Sequence, residues 1–360
     1  MKTGLCIDAR FRDHVAPAGH PERAARLDTI EAALRAAGVV ERCVPMAARP
    51  ATRAELERAH DPRYLDALDA QLAGGAGWLD PDTYFSPGTR EAMLLAAGAA
   101  IDLATAVADG ALDDGIAFVR PPGHHATSDQ AMGFCLINNV AVAAAALRAR
   151  GKRVAIVDYD VHHGNGTEEI FWEAPEVLYV SVHQFPYYPG TGRVCDVGGA
   201  LARGCTLNVP LPAQSGDGAY LAAFREVVAP AVVRFAPDVT LVSAGFDAHE
   251  SDPLASMRVS DAGFAHITRI LLDAAGGRLA AILEGGYDGD ALGRCALAAT
   301  RALLRDELPA LAPAPPTREE REAIAAAARL HAEAIAAWAD RALRETGDFK
   351  RAAVQGERQK

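Results

Sequence analysis

The chain has 360 residues, half of them apolar, enough to bury a large core as one big α/β domain or two smaller ones. A formal charge of −11 argues against a nucleic-acid backbone as main partner and suits cationic substrates such as lysine side chains or polyamines, although acidity also simply keeps proteins soluble. Six scattered cysteines without a Cys-x-x-Cys pair, an opening MKTGLCIDARFRD unlike a signal peptide and no apolar run of roughly 20 residues together predict a cytoplasmic protein that does not enter a membrane.

Alanine-rich helical stretches are predicted over 23–37, 53–73 and 89–109. A short apolar run, 115–120, then leads into PPGHH (121–125). A helix over 138–150 precedes the run 153–157, which leads into DYDVHHG (158–164), and the run 177–182 ends at His183. Beyond a helix over 219–235, the run 239–243 leads into AGFD (244–247). A helix over 260–275 precedes the run 279–283, which leads into EGGY (284–287), and another helix covers 290–304. Apolar runs alternating with helices predict an α/β fold with a mostly parallel central sheet flanked by helices on both faces. Such sheets place their chemistry beyond the strand C-termini, so the five clusters converge on one edge. The Pro- and Gly-rich loops 186–192 and 210–218 are the expected walls of a cleft.

LPALAPAPPTREE (308–320) breaks structure and starts a charged helix from Arg318 to about Arg344, with Trp338 among its alanines and leucines. Packing on the domain's flank is favoured over an oligomer contact, which leaves a homo-oligomer as the second reading. This divides the chain into a catalytic domain, 1–310, and a helical extension, 311–360, with a frayed tail over 346–360.

Asp160 and His162 lie two apart just past a strand, so their side chains can share one side of an extended segment. Asp247 holds the same kind of position after another strand. Two carboxylates and an imidazole form a three-ligand site with an open position. Donors without sulfur suit Zn²⁺, with Fe²⁺, Co²⁺ and Mn²⁺ as alternatives. Asp158 is expected to orient a histidine and, with Ser181 and backbone carbonyls, to hold a monovalent cation such as K⁺. Asp252, in DPLASM, reads as a cap or loop residue. His124 and His125 follow a rigid Pro-Pro-Gly turn and read as general acid and base. With Asp158 and Asn165 both available as partners, the two imidazoles can be tuned differently. Tyr287, after two glycines, reads as a neutral phenol that donates to a developing oxyanion.

Taken together, HPERAARL (20–27), AHDPRYLDAL (59–68), DTYFSPGTREAM (82–93), RPPGHHA, GFCLINN (133–139), DYDVHHGNGT, SVHQFPYYPGTG, SAGFDAHESDPL and LEGGY resemble the zinc-dependent histone deacetylase superfamily. That family includes bacterial deacetylase-like amidohydrolases and acetylpolyamine amidohydrolases. The resemblance implies a single-domain arginase/deacetylase-type fold. It implies Asp160, His162 and Asp247 as ligands of one Zn²⁺, His124 and His125 as the tandem histidines, and Tyr287 as the carbonyl-polarising tyrosine. It places Phe134 and Tyr188 as aromatic walls of an acyl-lysine tunnel, Gly133 in its lining, Asp82 at its rim and Arg23 near an internal acetate channel. Asn165 matches a class II-like pattern. Leu254 stands where a polyamine-selective relative carries a glutamate.

The function so implied is hydrolysis of an acetyl or other short acyl amide on lysine or on a small acylated amine, with acetylpolyamine as the alternative substrate. An arginase-like binuclear manganese ureohydrolase leaves His124, His125 and Tyr287 without roles. A pseudoenzyme that binds acyl-lysine would lack a ligand or the tyrosine.

Overall fold

The computed structural model describes the backbone of residues 1–357 and the side chains of residues 1–337. Ten strands follow in chain order: β1 Thr3–Cys6, β2 Val44–Met46, β3 Gly77–Trp78, β4 Tyr84–Phe85, β5 Asp114–Ala117, β6 Val154–Asp158, β7 Val177–Gln184, β8 Thr206–Leu211, β9 Val239–Ala244 and β10 Leu279–Leu283. Eight of them form one sheet in the order β2-β1-β5-β10-β9-β6-β7-β8, and every pairing in it is parallel. β3 and β4 make a separate antiparallel pair.

The parallel arrangement explains the sequence pattern. Every residue of β6, β9 and β10 is buried, because helices cover both faces and leave no solvated side that would impose an apolar/polar alternation. On one face the helices Thr89–Ala108 and Asn139–Arg148 pack together; Ala25–Ala36, Asp261–Ala274 and Gly289–Leu303 form another packed group. Thr89–Ala108 is long and apolar enough, by length and composition, to cross a membrane, contrary to the expectation that no run approaches that length. Here it is a core helix, with Leu95, Leu103 and Val107 all fully buried.

The four central strands carry the motifs. Asp158 at the end of β6 pairs with Ser243 of β9, and Ala244 of β9 pairs with Leu283 of β10. Segments 158–164, 244–247 and 284–287 therefore leave the sheet at one level.

Helix 53–73 differs from expectation: it divides into Arg53–Leu56 and Pro62–Leu72. Asp61 and Pro62 are a capping residue and a first-turn proline, which start a new helix rather than continue an old one. The helix that starts at Arg318 runs to Glu357 and packs on β8 through buried Ile324, Ala327 and Ala334. Trp338 and the tail expected to fray, 346–360, lie outside the residues whose side chains are described.

Candidate active site

Asp160, His162 and Asp247 come together at the sheet edge. One donor atom from each lies within 4.8 Å of the others, and all three residues are buried. Nδ1 of His162 is 3.1 Å from Oδ1 of Asp160 and 3.2 Å from Oδ2 of Asp247. The remaining carboxylate oxygens are fixed by backbone: Gly285 N donates to Asp160 Oδ2 at 2.8 Å and Val161 N to Asp247 Oδ1 at 2.8 Å. Oδ2 of Asp247 is buried and has no hydrogen-bond partner among the described residues.

Two nearby glycines make this cradle possible. A Cβ on Gly245 would stand 2.0 Å from Asp160 Oδ2, and one on Gly285 would stand 2.0 Å from Asp247 Oδ2.

The electrostatics call for a cation. Burial, then the nearby Asp160 carboxylate, push Asp247 up to about 7. Burial opposes charge on His162, but the carboxylates of Asp160 and Asp247 overrule it and push the imidazole up to about 10. Such a trio draws in positive charge, and an orphaned carboxylate oxygen beside an imidazole is a fitting seat for a divalent ion.

The tandem histidines stand side by side, ring centroids 4.0 Å apart, on different partners. His124 Nδ1 is 2.9 Å from Asp158 Oδ2, and His125 Nδ1 is 2.8 Å from Asn165 Oδ1. Burial works against a charged His124, yet Asp158 and then Asp160 hold it well above the usual imidazole range. His125 is held well below that range by burial, by His124 and by His162. Their surroundings thus pull the two rings in opposite directions. The amide of Asn165 also donates to His125 O at 3.4 Å, so its Oδ1 accepts and His125 Nδ1 carries the proton. The lone pair of His125 is then on Nε2.

Tyr287 leaves the Gly285–Gly286 turn with its ring 5.8 Å from that of Phe134 and 4.9 Å from the Arg26 guanidinium carbon. Burial first, then Asp247 and Asp160, raise its phenol well above the usual value against the opposing effect of Arg26, so it stays a neutral donor.

A cavity of about 160 Å³ is lined by Asp82, His125, Gly133, Phe134, His162, Tyr187, Tyr188, Leu254 and Tyr287. Gly133 and Phe134, φ +56° and +68°, are the two central residues of a tight turn closed by the paired Met132 and Cys135. Both central residues in the left-handed region define a mirror-type hairpin turn, and Phe134 accepts that strain while its N–H donates to Thr83 Oγ1 at 3.0 Å. The Tyr188 ring stands 5.1 Å from that of His125. Asp82 is raised by burial and by neighbouring Asp80. Ser181 pairs with Asp158 in the β6–β7 register, and its Oγ is 2.9 Å from His183 Nδ1.

One placement differs from the sequence reading. Arg23 is exposed, whereas Arg26, one helical turn on, is buried on the face of Leu27, Ile30 and Leu34. Arg26 donates from Nε to Gly286 O at 2.7 Å and from Nη2 to Glu284 O at 2.5 Å.

Glu284 is a further residue that sequence reasoning missed, although it opens EGGY. It is fully buried, accepts from Gly123 N at 2.6 Å and His124 N at 3.1 Å, and is pushed up to about 7, chiefly by burial. It thereby clamps the turn that presents the histidines.

His249, Asp261 and Cys295 also cluster, but they are satisfied without an ion. Ser251 N donates to His249 Nδ1 at 3.0 Å, so Nε2 carries the proton toward Asp261 Oδ1 at 3.0 Å, and Arg294 pairs with the other oxygen at 2.8 Å.

A model of the histone deacetylase domain matches residues 20–303. The chain belongs to the histone deacetylase family. Histone deacetylase 15 of Arabidopsis thaliana is 45% identical over 300 residues, 81% of this chain and 54% of that protein. A histone deacetylase-like amidohydrolase of Pseudomonas aeruginosa is 40% identical over 308 residues, 81% of this chain and 80% of that one. The crystal structure of the HDA15 HD domain superposes with a TM-score of 0.88 at 41% identity, covering 92% of this chain and 96% of that domain. This deacetylase-family chain spans about half the length of the Arabidopsis thaliana relatives that it matches.

Proposed function

We propose that the chain is a metal-dependent amidohydrolase that removes an acetyl or other short acyl group from an acyl-lysine side chain or a small acylated amine. The observation that carries the reading is the paired histidines, one on a carboxylate and one on an amide, beside the Asp160, His162 and Asp247 trio, with His125 and His162 lining an aromatic cavity. One Zn²⁺, or Fe²⁺ or Co²⁺ in its place, held by those three residues would supply Lewis-acid polarisation of the acyl carbonyl and a more acidic water.

The chain's own groups do the rest. Phe134 and Tyr188 wall a linear alkyl stem and exclude water, leaving the acyl end beside the histidines. Neutral His125 takes the attacking water's proton on Nε2, because Asn165 holds its other nitrogen protonated. Charged His124 stabilises negative charge in the same space while Asp158 fixes its orientation. The Tyr287 phenol donates to the tetrahedral oxyanion. His125 then returns its proton to the departing amine nitrogen.

A K⁺ ion at Asp158 and Ser181 belongs to the same proposal, supported by their adjacent register. Six free cysteines support a reducing, cytoplasmic setting. A binuclear manganese reading is not favoured, because it leaves His124, His125 and Tyr287 without roles.

The deciding assay is turnover of a fluorogenic acetyl-lysine substrate with and without a chelator, followed by competition among acetyl-lysine peptides, acetylated polyamines and longer acyl chains. Chelator-sensitive release of the acyl group is expected, and Tyr287→Phe should lose roughly 100- to 1000-fold in kcat while it keeps its metal. No turnover, or turnover indifferent to the chelator, would overturn the reading.

A further inference from the structure

Asp252 is buried, 7% exposed, and its carboxylate ties its own loop to the segment that follows β10. Oδ2 accepts from Tyr287 N at 2.6 Å and from Asp288 N at 3.4 Å, and Oδ1 accepts from Leu254 N at 2.9 Å. Leu254 O in turn accepts from the Tyr187 hydroxyl at 2.7 Å, and the Tyr187 ring stacks on His162, centroids 5.7 Å apart and planes 24° from parallel. A continuous path of bonds therefore runs from the tunnel wall to the backbone of Tyr287.

Tyr287 needs such a restraint. It is delivered by two glycines, the second at φ +118°, a stretch with no side chain to limit its excursions. The turn is instead gripped by charge from both sides: Arg26 takes the carbonyls of Glu284 and Gly286, and Asp252 takes the N–H groups of Tyr287 and Asp288. Those N–H groups lie at and just before Asp288, the N-cap of the helix Gly289–Leu303, where no helical carbonyl is available to them.

We propose that Asp252 is a positioning residue that sets the Tyr287 phenol and couples it to the tunnel wall through Leu254 and Tyr187. The inference rests on Tyr287 acting as the oxyanion donor, and Asp252 itself touches no substrate. Replacing one carboxylate oxygen by an amide NH₂ would set a donor against Leu254 N or against the Tyr287 and Asp288 pair, freeing the turn without emptying the site.

The test is a double-mutant cycle on the full chain, begun once wild-type turnover is shown to be chelator-sensitive. Asp252→Asn should lose about tenfold or more in kcat with KM within about twofold, and with unchanged metal content. In the Tyr287→Phe background the same substitution should cost no more than about twofold, because a missing phenol cannot be misplaced. Tyr187→Phe, which removes only the bond to Leu254, should show a smaller kcat loss with the same dependence on Tyr287, and it serves if Asp252→Asn fails to fold. Losses that multiply in the double variants, or a normal kcat in both single ones, would overturn the proposal. A wild type without chelator-sensitive turnover would instead overturn the proposed function, and this inference with it.

Discussion

At Gly133 the backbone decides where His125 can stand. Its φ is +56°, and a Cβ there would meet His125 Cδ2 at 2.4 Å. An L side chain in that region costs about 1–2 kcal/mol, and the clash would push the imidazole off its line to Asn165. Gly133→Ala should therefore stay folded with its metal bound and lose at least about tenfold in kcat, which steady-state kinetics beside metal analysis would show. A normal kcat would mean that the ring has room the structure does not give it. Gly133 is marked in the sequence only by the family resemblance, whereas the tandem histidines, the three proposed ligands and Tyr287 are legible there because such side chains are unusual at strand ends. Glu284, Arg26 and Asp252 are not. Each serves backbone N–H or C=O groups 160, 258 and 35 residues away, and no local spacing encodes such a pairing. Arg26 is set apart from Arg23 only by the helix's buried face.

Among the elements, the segment His60–Asp61 shows how a turn can lock two helices. His60 Nδ1 donates to Thr127 O at 2.9 Å, while its Nε2 accepts from Asn138 N at 3.0 Å, and Asn138 caps the helix Asn139–Arg148. A second proton on the ring would set N–H against N–H. Burial lowers the ring to about 4, against a weaker opposing effect of Thr127. Because the folded value lies below the unfolded value of about 6.5, only the unfolded chain gains this proton between the two. The contribution is thus fully present above pH 6.5 and is lost as pH falls toward 4, at roughly 1.4 kcal/mol per pH unit. Urea unfolding should show His60→Asn with a shallower loss of stability across that window than the wild type. Parallel slopes would rule out His60 as the source. Sequence periodicity foresaw β5, β6, β7, β9 and β10, which are buried along their whole length. It missed β1 and the two edge strands, β2 and β8. Pro45 in β2 and Pro210 in β8 sit on the two edge strands, where a missing N–H leaves no gap in a ladder.

For the molecule as a whole, the trio proposed to hold the metal is also a structural joint. Asp160 and His162 follow β6, Asp247 follows β9, and Asp160 binds Gly285 N beyond β10, so three central strands meet at one buried cluster of charge. Without a metal the His162 imidazole takes up a proton to balance the two carboxylates, and a bound divalent ion would displace that proton. A metal bound only by the folded chain should therefore stabilise all of it, by about 4 kcal/mol when free metal exceeds its Kd a thousandfold. Chelation should lower Tm by several degrees, and Zn²⁺ added back should restore it at one ion per chain. His162→Ala should melt at one temperature in either condition, since its site has lost the imidazole that completes it. If chelator and Zn²⁺ leave the wild-type Tm unmoved, the trio is a hydrogen-bonded cluster and not a metal seat; if two ions bind per chain, a binuclear site must be sought around the same sheet edge.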